Sequence, residues 1–278
     1  MSLARRIENL YLQKSESVIR LPEWLLSRKV VQRSHETGAR LAIIEIAGRD
    51  SVAAAIRAVE EGLFTDLLPT YAFTGTEHGS LRSVEEAVRR LANRLPGITV
   101  HNLELLGSAG FWQALNGRFI SELISRFGFY SPCVGCHLYL HGVRIPLAVS
   151  LGGVAVISGE RESHDGSLKV NQIPEALERY QTLFRAFGIP LLLPLRHMAS
   201  GEEVEHILDS KWEEGKEQLG CVLSGNYRML NGGIGVTPEQ VAAYLDEFAV
   251  PCAQRIVSVY LEGEIPDFLE IAREELRK

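Results

Sequence analysis

The chain has 278 residues, 46% of them hydrophobic, with a net charge of −6 and four cysteines. That length supports one sizeable core with extensions, four cysteines exclude a disulfide scaffold, and the acidic balance argues against a dedicated nucleic-acid binder. The longest apolar runs, such as Ile189 to Leu195, fall short of the roughly 20 residues that cross a bilayer, and charges stand where a signal peptide has its apolar centre, so a cytoplasmic protein without a membrane partner is expected.

In chain order, residues 1–39 form a basic N-terminal extension, expected to be helical. Arg5, Arg6, Lys14, Arg20, Arg28, Lys29 and Arg33, with Arg40 just beyond, face only Glu8, Glu16, Glu23 and Glu36. The excess suits a phosphate backbone or a solvated helical face. Residues 40–196 then alternate short apolar runs with helical patterns. Leu41 to Ile46, Leu67 to Phe73, Ile98 to Leu103, Val154 to Ile157 and Ile189 to Leu193 read as strands, apolar on both faces as in a buried parallel sheet. Ser83-Val84-Glu85-Glu86 reads as a capping box opening a helix through Leu95, and Pro146 is placed to kink or end a later helix. The alternation predicts a doubly wound α/β fold with a mainly parallel, five-stranded sheet. Residues 197–278 read as a mostly helical C-terminal extension, with capping boxes at Ser200-Gly201-Glu202-Glu203 and Thr237-Pro238-Glu239-Gln240.

The chemistry concentrates at the turn Ala47-Gly48-Arg49-Asp50-Ser51, after the first strand. In an open α/β sheet, ligands bind where a strand ends and the next helix turns its free N–H groups outward. Gly48 allows close backbone approach, Ser51 adds a hydroxyl and Arg49 a positive charge; Asp50 fits a helix cap or an Mg2+ ligand. By these residues alone, a phosphate site and a plain strand–helix junction both stand. The chain has no G-x-x-x-x-G-K-[ST], which excludes the usual mononucleotide P-loop, and "NGGIGVT" lacks dinucleotide spacing.

"IAGRDS", Ile46 to Ser51, resembles the S-G-G-x-D-S loop of the PP-loop ATP pyrophosphatase superfamily, the adenine nucleotide alpha hydrolase-like proteins. "AFTGTEHGS", Ala72 to Ser80, is similar to the family's D-T-G segment, and "VISGERESHDG", Val154 to Gly166, to a further segment beside the nucleotide. Ile46, Ala47 and Thr74 depart from the pattern, which sets fold apart from catalytic competence. The resemblance implies a HUP-like sheet binding ATP and Mg2+. Ala47, Gly48, Arg49, Asp50 and Ser51 would lie at the phosphates, and Thr74, Gly75, Gly159, Glu160 and Arg161 near the adenosine or ribose. Asp50, Glu160 and Asp165 are candidates for Mg2+ or ribose, with caps and surface carboxylates as the alternative. Arg161 is expected to pair with a neighbouring carboxylate more readily than with a phosphate.

"SPCVGCHLYLHGVRIPLA" places Cys133 and Cys136 at a helix start, where the dipole favours the thiolate. With Cys221 downstream, and Cys252 as fallback, they resemble the PP-loop tRNA thiolation enzymes, whose three cysteines hold a 4Fe-4S cluster. Zn2+ held by these cysteines with His137 or His141, a redox pair, and inert thiols stay open. The resemblance implies catalytic roles for Asp50, Ser51, Cys133 and Cys136 in adenylating a carbonyl oxygen, releasing pyrophosphate and displacing AMP with sulfur. The expected partners are ATP, a sulfur donor protein and a tRNA, held by the basic extension and by Arg82, Arg89, Arg90 and Arg94; a homo-oligomer is expected. Two alternatives remain: an enzyme on a small molecule, including a sulfonucleotide reductase relative, and a non-catalytic adenine-nucleotide-binding protein.

Overall fold

A computed structural model describes residues 40–212 and 217–278, so the expected N-terminal extension lies outside the described residues. Strand β1 (Leu41–Glu45) occupies the middle of the sheet, because every one of its residues is apolar enough to be buried or ends at the sheet rim. Ile43 enters one core and Ala42 and Ile44 the other, the two-sided burial that an unbroken apolar run requires. Strand β2 (Asp66–Ala72) pairs with one side of β1, from Leu41 opposite Asp66 to Glu45 opposite Thr70, and β6 (Ala155–Ile157) with the other. Strand β7 (Leu191–Leu192) completes that edge; pairing begins at the carbonyl of Pro190, which accepts from Val156 N–H at 2.9 Å. All these pairings are parallel.

The expected strand at 98–103 is instead two short strands, β4 (Thr99–Val100) and β5 (Glu104–Leu106), both parallel to β2. The six strands therefore fill five positions across the sheet, in the order β4 and β5, β2, β1, β6, β7. The partner offset on β2 changes from Asp66–Thr99 to Thr70–Glu104, one extra residue in the edge strand, as in a bulge. A separate antiparallel ribbon joins β3 (Glu77–His78) to β8 (Gly220–Cys221).

Helices α1 (Arg49–Glu60), α2 (Arg82–Arg94) and α8 (Gly201–Leu208) cover one face, closing a core around Ile44, Ile56, Leu91 and Val204. The other face carries α3 (Ala109–Asn116), α4 (Ile120–Phe127), α5 (Pro132–Gly142), α6 (Ile145–Ser150) and α7 (Pro174–Arg185). It also carries α9 (Pro238–Tyr244), which runs through a π-helical turn, Leu245–Ala249, into α10 (Val250–Leu261), and finally α11 (Phe268–Arg277). Phe248 and Ile256 share a core with Ile43, Tyr139 and Phe184, so the helices after residue 197 contribute to both faces. No helix among the described residues is long and apolar enough to cross a membrane.

Two capping expectations are corrected. Helix α2 begins at Arg82 with Leu81 at its N-cap, and Ser83 donates its hydroxyl back to Ser80 O at 2.8 Å instead of capping an amide. At α8 the Ser200 hydroxyl accepts from Glu202 N–H, with no reciprocal bond from Glu203. The box at Thr237 is complete, with Gln240 N–H donating to the hydroxyl and Thr237 N–H to the Gln240 side chain. Pro146 sits in the first turn of α6, just after α5 ends.

Candidate functional site

The turn after β1 opens onto a cavity of about 340 Å³ at the carboxyl ends of the parallel strands. Ala47, Gly48, Arg49, Asp50 and Ser51 line it from one side, and Thr74 and Gly159 from the ends of β2 and β6. Gly159 fits so tightly that a Cβ there would come within 2.5 Å of Asp50 C and Ser51 N; only glycine lets the β6 end seat against the loop. Gly75 is not part of the cavity wall; its φ of 81° turns the chain after β2.

The loop is satisfied by its own side chains. Ser51 Oγ accepts from Ala47 N–H at 3.0 Å and Gly48 N–H at 3.1 Å and donates to Gly48 O at 2.7 Å, and the Gln218 side chain packs over Gly48. Asp50 is not the N-cap of α1, which is Gly48. It accepts from Arg49 Nε at 2.8 Å and from Arg161 Nε at 2.9 Å. Burial works against its charge, but the two arginines hold its carboxyl below the ordinary range. Arg161 is fully buried beneath the loop, so it pairs with a carboxylate and is not part of the cavity wall. Asp165, in a left-handed conformation at φ 52°, accepts from Gly201 N–H at 2.8 Å and serves the start of α8, away from the cavity.

Helix α5 delivers the cysteines. Pro132 opens it after Ser131, so Cys133 lies in its first turn and Cys136 one turn on. Cys136 and Cys221 line the same cavity as the turn from Ala47 to Ser51, and Cys133 lies beside them, 3.4 Å from Asn226 Oδ1. Cys221 is held by the β3–β8 ribbon, with Thr76 Oγ1 3.2 Å from its sulfur. Cys252 is elsewhere: on α10 it is wholly buried in the core, its thiol driven far up by burial, which removes it as the third cysteine of this group. The helix start does not favour thiolates as the sequence suggested. Burial pushes the Cys136 thiol up to about 12 and raises Cys133 as well, and Cys221 adds to both shifts. Desolvation of neighbouring thiols outweighs the dipole of one helix turn.

Beside the thiols, a buried polar network ties α5 to the strand ends. His141 Nδ1 lies 2.8 Å from Glu45 Oε1, and His137 Nδ1 2.6 Å from Glu160 Oε1. Burial disfavours a charged His141, but Glu45 and Glu160 overcome it and raise its value to about 9. The same balance holds Glu160 well below the carboxylate range, with His137 the leading partner. Arg144 donates from Nε to Thr70 Oγ1 at 2.8 Å and lies 3.6 Å from Glu45.

Glu45, Glu77, Arg144, Lys169, Gln172 and Gln218 line this cavity without having stood out in the sequence. One signal existed for Glu45: a carboxylate ending an apolar strand, at the edge where ligands bind. Three arginines of α2 have carboxylate partners: Arg89 and Arg90 with Glu86, Arg90 also with Glu217, and Arg94 with Glu60 at 3.9 Å.

No protein-family model matches the chain. The uncharacterized protein MJ0009 of Methanocaldococcus jannaschii is 37% identical over 270 residues, spanning 95% of this chain and 96% of that protein. Among solved structures, the U34-tRNA thiolase NcsA from Methanococcus maripaludis with its [4Fe-4S] cluster aligns over 97% of this chain and 80% of its own, at 13% identity and a TM-score of 0.42. A likeness that loose carries no conclusion about chemistry.

Proposed function

The chain belongs to the same family as the M. jannaschii protein MJ0009, and for it we propose ATP-dependent sulfur transfer through an adenylated intermediate, with a tRNA base as acceptor. One observation carries this reading: the loop from Ala47 to Ser51 and the thiols of Cys136 and Cys221 line a single cavity. An activating nucleotide and a sulfur source both have to reach one carbonyl carbon, and a shared cavity permits that.

ATP binds with its phosphates at the amides of Ala47 and Gly48 once Ser51 and Gln218 turn aside, and Arg49 adds charge at the pyrophosphate. Mg2+ completes the neutralisation there. The substrate carbonyl oxygen attacks the α-phosphorus, pyrophosphate leaves, and the C–O bond to AMP breaks as the C–S bond forms. Arg161 positions Asp50 and does not touch the nucleotide.

The donor set of Cys133, Cys136 and Cys221 fits a cluster better than one ion. Among the described residues, His137, His141 and Glu160 are the only group of three or more whose ligand atoms all lie within 4.8 Å of one another, so the three sulfurs are spread too widely for a single zinc as they stand. Cys133, Cys136 and Cys221 would hold a 4Fe-4S cluster, which would supply a site for exogenous sulfide.

The test is pyrophosphate release from ATP with bulk tRNA, together with mass spectrometry of nucleosides from a deletion strain. Turnover and loss of one thiolated nucleoside are expected. An unchanged nucleoside profile would remove tRNA as acceptor. ATP binding without turnover would favour the second reading, a non-catalytic nucleotide-binding protein, for which the self-satisfied loop speaks.

A further inference from the structure

We propose that His137, His141 and Glu160 form a second metal centre, separate from the cysteines, that holds one Zn2+ with an open position toward the cavity. His137 and His141 stand four residues apart on α5 and so share a helix face, and Glu160 follows β6. One ligand atom from each lies within 4.8 Å of one from each of the others. Glu160 Oε1 is 2.6 Å from His137 Nδ1 and 3.5 Å from His141 Nε2. Metal–ligand bonds of about 2.0–2.1 Å give tetrahedral edges of roughly 3.3 Å, so the three atoms need to shift by less than about 1 Å.

Two further observations point to a cation and not merely to an ion pair. His141 Nε2 is wholly buried, makes no well-formed hydrogen bond, and faces Glu160 Oε1 at 3.5 Å, a separation longer than a direct bond and close to the edge between two ligands of one cation. Each of the three side chains is also gripped by its far atom. Glu45 takes His141 Nδ1 at 2.8 Å, Asn171 lies 2.9 Å from His137 Nε2, and Gln172 donates to Glu160 Oε2. A carboxylate, an amide and an amide behind two imidazoles and a carboxylate is the outer arrangement that fixes tautomers and orients ligands around zinc. With the Nδ1 of His137 on the metal, its Nε2–H donates to Asn171 after rotation of that amide. Two His and one Glu leave a fourth position, and His137 and Glu160 are the members that line the cavity. The position accepts water or an oxygen or sulfur atom of a bound substrate.

The test uses full-length protein with Cys133→Ser, Cys136→Ser and Cys221→Ser, at residues that are each partly exposed and change by one atom. Zinc is titrated against a chromophoric chelator without ATP, so failure of the sulfur-transfer reading does not affect it. One equivalent bound per chain is expected, and Asn171→Ala should weaken it about 10- to 100-fold. Added Co2+ should give visible d–d bands without sulfur-to-cobalt charge transfer, and zinc-edge absorption should show imidazole scattering. No stoichiometric zinc, or unchanged affinity after His137→Asn, would overturn the proposal. If His137→Asn fails to fold, the zinc-edge spectrum of the serine variant decides, because absence of imidazole scattering there refutes the site.

Discussion

Arg161 Nε donates to Asp50 Oδ2 at 2.9 Å from a position with no solvent exposure, so the carboxylate of the turn after β1 is neutralised from below. Arg161→Ala leaves Asp50 to Arg49 alone and opens a void under the loop. Breaking a buried pair of this kind costs about 3 kcal/mol, which denaturant unfolding will report. The same variant should raise the KM for ATP more than it lowers kcat, because the residue acts through loop charge and position.

Two loop glycines should respond differently to alanine. At Gly159 the added Cβ meets the backbone of Asp50 and Ser51 at 2.5 Å, and backbone cannot step aside. At Gly48 it meets Gln218: the amide end can rotate away, but Gln218 Cβ at 2.9 Å moves only if the Gln218 backbone yields by a few tenths of an ångström. Gly159→Ala should therefore cost about 2 kcal/mol and abolish nucleotide binding. Gly48→Ala should cost less, about 1 kcal/mol, because one surface segment can shift where the Asp50–Ser51 backbone cannot, as thermal melts of the two variants will show.

In the metal-free protein, the Cys136 thiol, pushed up to about 12 by burial and by its neighbouring thiols, should alkylate very slowly at neutral pH. At pH 8 its thiolate fraction is on the order of a thousandfold below that of an ordinary cysteine. Its iodoacetamide rate should climb with hydroxide from pH 7 to 10 without levelling. A plateau near pH 8.5, read by peptide mass spectrometry, would contradict the burial account.

Two similar capping sequences should differ in worth. Thr237→Ala removes a reciprocal box and should cost about 1 kcal/mol. Ser83→Ala removes only a bond to Ser80 O from a position already inside the helix, and should change stability by less than half as much. Urea unfolding of both variants checks the contrast.

That contrast shows where sequence reasoning reaches its limit. β1 was legible because Leu41 to Ile44 are apolar without interruption, and only a strand buried on both faces requires that. The cavity's position followed from the rule for strand ends. The split at residues 101–103 was not legible, because it comes from register against β2 and leaves the apolar pattern intact. Nor did the letters separate Cys221 from Cys252. Each is a lone downstream cysteine, and packing alone puts one at the cavity and the other in the core. Glu45, Arg144 and Gln218 come from segments far apart in the chain and carry no local motif. The helix start at Cys133 was read correctly, yet its electrostatic effect was reversed by burial that only the folded chain reveals.

The two-stranded ribbon has a mechanical consequence. Cys221 faces Glu77 across the ladder, and Glu77 in turn accepts from Thr74 N–H at 2.6 Å, at the end of β2 that opens on the cavity. The third sulfur is thus geared to the backbone that ends β2. Under the proposed sulfur transfer, a bound adenosine that displaced that backbone would reach the thiol through these two steps, so that arrival of one reactant would set the spacing at which the other is offered.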